Sequence, residues 1–226
     1  MFFSKISKSL FLTFNKTLQF FRTHKELTII LFLTFMTRFY LADWNSYWLD
    51  ELYSVYRLNF LSAGDQITFD NAIDFLRHRQ TRPTSLPLYE FLLFNWMQLF
   101  GQSEVATRTL SNIYVTLATL FLFLFSVKTF NRRIAIASTL FFSFSYMAVF
   151  HSLESRYYAQ MLFLSTLSSY LLYVYLSSLR TFSWRSLTVN KYFVLLSFVN
   201  VALMLTHPFN YLFIATQLSF LFLPPR

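Results

Sequence analysis

The sequence predicts an all-α fold: a polytopic transmembrane helical bundle of about six spans, with an outer-face juxtamembrane loop and interfacial helices. Two observations carry that expectation. Hydrophobic residues make up 55% of the chain and charged residues only 13%, whereas a soluble domain carries about 25% charged residues. The apolar stretches are also long and flanked by basic clusters, the pattern of a chain that crosses a bilayer repeatedly. Composition narrows the function classes as well. With no cysteine there is neither a disulfide framework nor thiolate chemistry. Two glycines in 226 residues argue against a transporter built on glycine-broken helices and tight GxxxG crossings. The net charge of +9 fits basic cytoplasmic loops, and no nucleic-acid partner is expected.

Residues 1–24 read as an amphipathic helix lying on the cytoplasmic membrane face. Phe2, Ile6, Leu10, Phe14 and Leu18 recur at every fourth position, while Lys5, Lys8 and Lys16 fall on the opposite arc. A solvated basic tail is the alternative. No short apolar core leads to a small-residue cleavage site, so a removable signal peptide is not expected.

A first span is expected over 27–42. Lys5, Lys8, Lys16, Arg22 and Lys25 precede it, which places its start in the cytoplasm and the residues after it outside. Arg38 lies near the outer end, placed to snorkel to the interface or to meet a phosphate. Residues 43–104 then form an outer loop with an interfacial helix. This stretch opens with the adjacent carboxylates Asp50 and Glu51, costly to hold near lipid unless they have work to do; their alternative reading is a simple marker of where the chain leaves the bilayer. A loop this long usually has a function of its own. A short helix is expected over 70–79. The apolar run 86–100 is too short to span and is read as a helix in the outer interface, ended by Gly101.

Spans are then expected over 105–127, 134–150, 157–176, 192–205 and 209–223. Lys128, Arg132 and Arg133 would form one cytoplasmic turn, and Arg180, Arg185 and Lys191 another. Every lysine falls inside in this arrangement. As a consequence Asp50, Glu51, Arg82, His151, Glu154, Arg156 and His207 share the outer side, although they come from separate loops.

The residues that carry these features resemble a known family. Asp50-Glu51, following a span that ends Arg38-Phe-Tyr-Leu41, resembles the acidic motif of the GT-C membrane glycosyltransferases. The similarity is greatest to the branch that holds protein O-mannosyltransferases, aminoarabinose transferases and bacterial lipopolysaccharide-core sugar transferases. The run from Leu86-Pro-Leu-Tyr89 to Leu99-Phe-Gly101, followed by Ser103-Glu104 and Ala106-Thr-Arg108, is similar to that family's interfacial helix and entry to the second span. His151-Ser-Leu-Glu154-Ser-Arg156-Tyr-Tyr158 resembles its motif between the third and fourth spans, and Thr206-His207 its Thr-His pair. The chain departs in having Ser85-Leu-Pro-Leu88 where family members often have His-Pro-Pro-Leu, and Leu153 where Gln usually stands. The likeness covers residues 25–226 as a GT-C-like transmembrane domain. It matches the N-terminal half of such an enzyme, so a second chain supplying the C-terminal half is an expected partner.

The resemblance implies transfer of a sugar from a polyprenyl-phosphate donor to a hydroxyl of a lipid, glycan or protein acceptor. The setting would be the outer face of a bacterial inner or plasma membrane. Such transfer needs a base, for which Asp50 is the candidate and Glu51 its neighbour and alternative. The leaving phosphate needs cations, and Arg82 and Arg156 are the expected ones, with Glu154 and His207 lining the substrate site. A divalent metal held by Asp50, Glu154 and His207 is an option that carboxylate and imidazole ligands would suit, but no metal set is fixed by the spacing. A non-catalytic or truncated membrane subunit that binds lipid or a partner chain is the alternative function.

Overall fold

The computed structural model describes residues 15, 19–52, 54–55, 87–178 and 190–221. Among the described residues the chain is all-helical, without strands. The helices are α1 (Lys25–Leu41), α2 (Pro87–Phe100), α3 (Glu104–Thr129), α4 (Arg132–Ser143), α5 (Tyr146–Ser152), α6 (Tyr158–Ser178), α7 (Lys191–Met204) and α8 (Asn210–Leu221). Arg82, the expected helix over 70–79 and most of the amphipathic segment 1–24 lie outside the described residues.

Local chemistry fixes the boundaries. Ser103, Asn131, Ser145 and Asn190 each cap a helix N-terminus by accepting a backbone N–H from the first turn. Gly101 follows α2 with φ 86°, a left-handed conformation that a side chain disfavours, so the chain turns there into α3. The run 134–150, expected as one helix, is two. It breaks at Phe144–Ser145, where α4 and α5 meet at a 54° bend.

Two helices, α3 and α6, are long and apolar enough to cross a membrane, and the bent α4–α5 pair is a third if it forms one broken span. That is fewer than the expected six. Helices α7 and α8 have 14 and 12 residues, about 21 and 18 Å at 1.5 Å per residue against a ~30 Å hydrocarbon core. Helix α1, with 17 residues, carries Lys25, Glu26 and Arg38 within its length.

Helix α3 is the central element, packed by α1, α2, α4, α5 and α6; α6 carries α7 and α8 on its other side. The crossings are lined by small residues: Ser111, Ala118, Ala135, Ser143, Ala148, Ala159 and Ser168 are all buried. Arg38 does not snorkel. It lies on the buried stripe of Leu27, Ile30 and Thr34 and is itself 2% exposed. From there it donates to the Ser143 carbonyl. The break between α4 and α5 frees that carbonyl from helical pairing, and this draws the guanidinium inward rather than to the interface.

The two ends of the bundle differ in charge. At one end Arg132 pairs with Glu26 at 2.7 Å and Tyr173 donates to the Lys128 carbonyl. Lys25, Lys128 and Lys191, the lysines among the described residues, all lie at helix ends on this side. At the other end the segment after α1 meets the start of α3 and the α5–α6 turn, and the backbone N–H of Leu88 donates to the Leu205 carbonyl at 3.1 Å.

Candidate functional site

After α1 the chain turns through 42–48 and enters a short helical stretch at 49–52. This stretch separates the two adjacent carboxylates, since consecutive helical residues point about 100° apart. Glu51 turns inward and is fully buried. Arg108, near the start of α3, donates to it from Nε at 3.0 Å and from Nη2 at 2.7 Å. The remaining Arg108 N–H groups go to the carbonyls of Ala42 at 2.8 Å, Asn45 at 2.6 Å and Ser46 at 3.3 Å. The backbone N–H of Ser155 adds a 2.8 Å bond to Glu51, and that of Trp48 a longer one at 3.4 Å. This pair therefore ties three chain segments together: the loop after α1, α3, and the turn before α6. Beside it Tyr47 packs against the guanidinium and hydrogen-bonds Thr107 at 2.8 Å. Burial pushes the Tyr47 phenol up to about 12.

Asp50 turns outward, its side chain 44% exposed, with Arg156 Nη2 at 3.5 Å from its carboxylate. Arg156 Nη1 also donates to the Asp50 carbonyl at 3.0 Å, and the guanidinium lies over the Tyr157 ring. Its Nε is buried without a partner. His207 stacks on the same Tyr157 ring at 4.7 Å. The His207 Nδ1 accepts from the Phe209 backbone N–H at 3.2 Å, which leaves the proton of the neutral ring on Nε2. Burial, and then the nearby Arg156 charge, hold His207 below its ordinary value, so the neutral ring is favoured.

Glu154 is buried at the same end. One of its oxygens meets His151 Nδ1 at 3.1 Å, and the other, Oε1, has no partner. His151 stacks on Tyr158. A cavity of about 590 Å³ opens beside these groups, lined among others by Trp44, Trp48, Glu51, Arg108, Phe150 and Glu154.

The structure thus gathers Asp50, Glu51, Glu154 and Arg156 at one end of the bundle, with His207 joined to them through Tyr157. Arg82 lies outside the described residues. No group of three or more His, Cys, Asp or Glu side chains able to hold a metal occurs among the described residues, so Asp50, Glu154 and His207 are not assembled into a ligand set. Arg108 and Ser155 are the participants that sequence reasoning missed. An arginine just inside an apolar run was the available signal for Arg108. Ser155 acts through its backbone N–H and gave none. Compared with protein-family models, curated proteins and solved structures, the chain matches none.

Proposed function

We propose that the chain carries the acidic centre of a membrane glycosyltransferase of GT-C type that uses a polyprenyl-phosphate sugar donor at the outer membrane face. One observation supports this reading above the rest. Carboxylates and arginines from three separate segments meet at the end of the bundle away from the lysines, next to a cavity. In this reading all six apolar segments enter the membrane, the short α7 and α8 as a pair folded back at His207. The prenyl tail lies in lipid and the anomeric carbon reaches the Asp50–Arg156 pair. The acceptor oxygen bonds to that carbon as its proton passes to Asp50. The carbon–oxygen bond to phosphate breaks with its electron pair leaving on the phosphate, whose charge Arg156 meets. Glu51, saturated by Arg108 and backbone N–H groups, positions this machinery rather than reacting.

The experiment is to incubate membranes containing the chain with a panel of polyprenyl-phosphate sugars and measure released prenyl phosphate. Asp50→Asn is expected to abolish release while insertion stays normal. Full activity in that variant overturns Asp50 as the base. Absence of release by the unaltered chain, even when supplied with a chain carrying the further spans, favours the non-catalytic subunit instead.

A further inference from the structure

We infer that the cavity beside Glu154 is a binding subsite for a neutral, polyhydroxylated ring, a saccharide, with Glu154 Oε1 as its polar anchor. Its assignment as the acceptor side rests on the glycosyltransferase reading above; the binding chemistry does not.

The argument is one of hydrogen-bond accounting. A guanidinium has five N–H groups. All five of Arg108 are engaged, by Glu51 and by the carbonyls of Ala42, Asn45 and Ser46. Glu51 in turn accepts from Arg108, Ser155 and Trp48. The ion pair in the cavity wall therefore has nothing left to offer, and Arg108 has no N–H free for an anion; the exposed Asn45 and Ser46 are the other polar residues of the lining. A phosphate finds no free cation among the lining residues. Glu154 differs, because His151 takes one oxygen and Oε1 is left buried and unpaired. A buried acceptor in that state carries its desolvation penalty uncompensated until a donor arrives. One acceptor atom suits one hydroxyl. An ammonium group would bring three N–H donors to it and leave two without an acceptor.

The walls complete the match. Trp44 and Trp48 are 72% and 46% exposed, and Phe150 and Leu153 line the same space. Flat aromatic faces suit the apolar C–H face of a sugar ring, while its rim hydroxyl meets the carboxylate. The volume, about 590 Å³, lies within the range of pockets that enclose one small ligand.

The test is binding, followed by tryptophan fluorescence of the full chain in lipid nanodiscs. The probes are the neutral disaccharides maltose, lactose and cellobiose, with glucosamine and glucose 6-phosphate beside them. Saturable binding of at least one neutral disaccharide is expected, weakened about tenfold by Glu154→Gln, a loss of about 1.4 kcal/mol. Trp44→Leu, at an exposed position where folding is not at risk, should weaken it similarly. It decides the matter if the Glu154 variant does not fold. Three outcomes overturn the inference: no neutral disaccharide binds, both folded variants bind as tightly as the unaltered chain, or glucosamine or glucose 6-phosphate binds about tenfold tighter than every neutral probe. Saccharide binding without prenyl-phosphate release, even when a chain carrying the further spans is supplied, sinks the glycosyltransferase reading and leaves the subsite standing. Release without saccharide binding does the reverse.

Discussion

Arg108 and Glu51 form a buried pair whose side chains are 5% and 1% exposed. Burying two charges is costly, and the cost is offset only because each lone pair and N–H has a partner. Removing one member therefore hurts more than the pair helps. Arg108→Ala should destabilise the folded bundle by about 3–5 kcal/mol, because Glu51 is left charged and buried. Arg108→Lys should recover only part of this, since an ammonium has three donors and no fork. Thermal melts in detergent check both, and a Lys variant as stable as the parent would show that the fork geometry is idle. His207 makes a second prediction at this scale. Its folded value is held below the ordinary 6.5 by burial and Arg156. On acidification the unfolded chain therefore takes the proton first. Stability is complete above 6.5 and is lost as pH falls from there through the folded value. His207→Gln should flatten that slope in melts recorded across the range. The acidic pair itself was legible in the sequence as two carboxylates beside an apolar run. Its partner was not, because Arg108 stands 57 residues from Glu51 and only the packing of α3 against the end of α1 brings them together.

At the scale of elements the apolar segments, their order and their approximate limits were legible, because long runs bounded by basic or cap-forming residues leave few alternatives. Two features were not. Phe144 and Ser145 interrupt an apolar run without proline or glycine, so hydropathy alone reads through them. The Ser145 hydroxyl, accepting from Ala148, restarts the helix as α5. Arg38 is the other. Its position near a helix end suggested the interface, but the face it occupies is set by Leu27, Ile30 and Thr34, which pack inward. The scarcity of glycine was also less restrictive than it looked. Serine, alanine and threonine take the close-approach positions between α3, α4 and α6, and several add hydrogen bonds, as Ser138 does to Ser126 and Ser155 to Thr107. Tight crossings in this bundle use alanine and small hydroxyl residues rather than glycine.

The whole molecule is organised by a difference between its ends. Lysines and the Arg132–Glu26 pair, half exposed, mark one end, while buried or semi-buried carboxylate–arginine pairs mark the other. In the sequence the lysines separate from Asp50, Glu51, Glu154 and Arg156, and the described residues place the two sets at opposite ends of the bundle. Basic residues prefer the cytoplasmic side of a membrane, so the lysine end is the one expected to face it in the proposed arrangement. Because the chain has no cysteine, single cysteines report cleanly. Gln66→Cys, between the acidic pair and α2 in the sequence, should react in intact cells with a maleimide that cannot cross membranes. Phe130→Cys, in the turn between α3 and α4, should react only after the membrane is opened. The reverse pattern would put the Asp50–Arg156 pair on the cytoplasmic side, out of reach of an outer-face acceptor. Labelling of both positions in intact cells would mean that α3 does not separate the two ends across a bilayer, and the proposed membrane arrangement would fail with it.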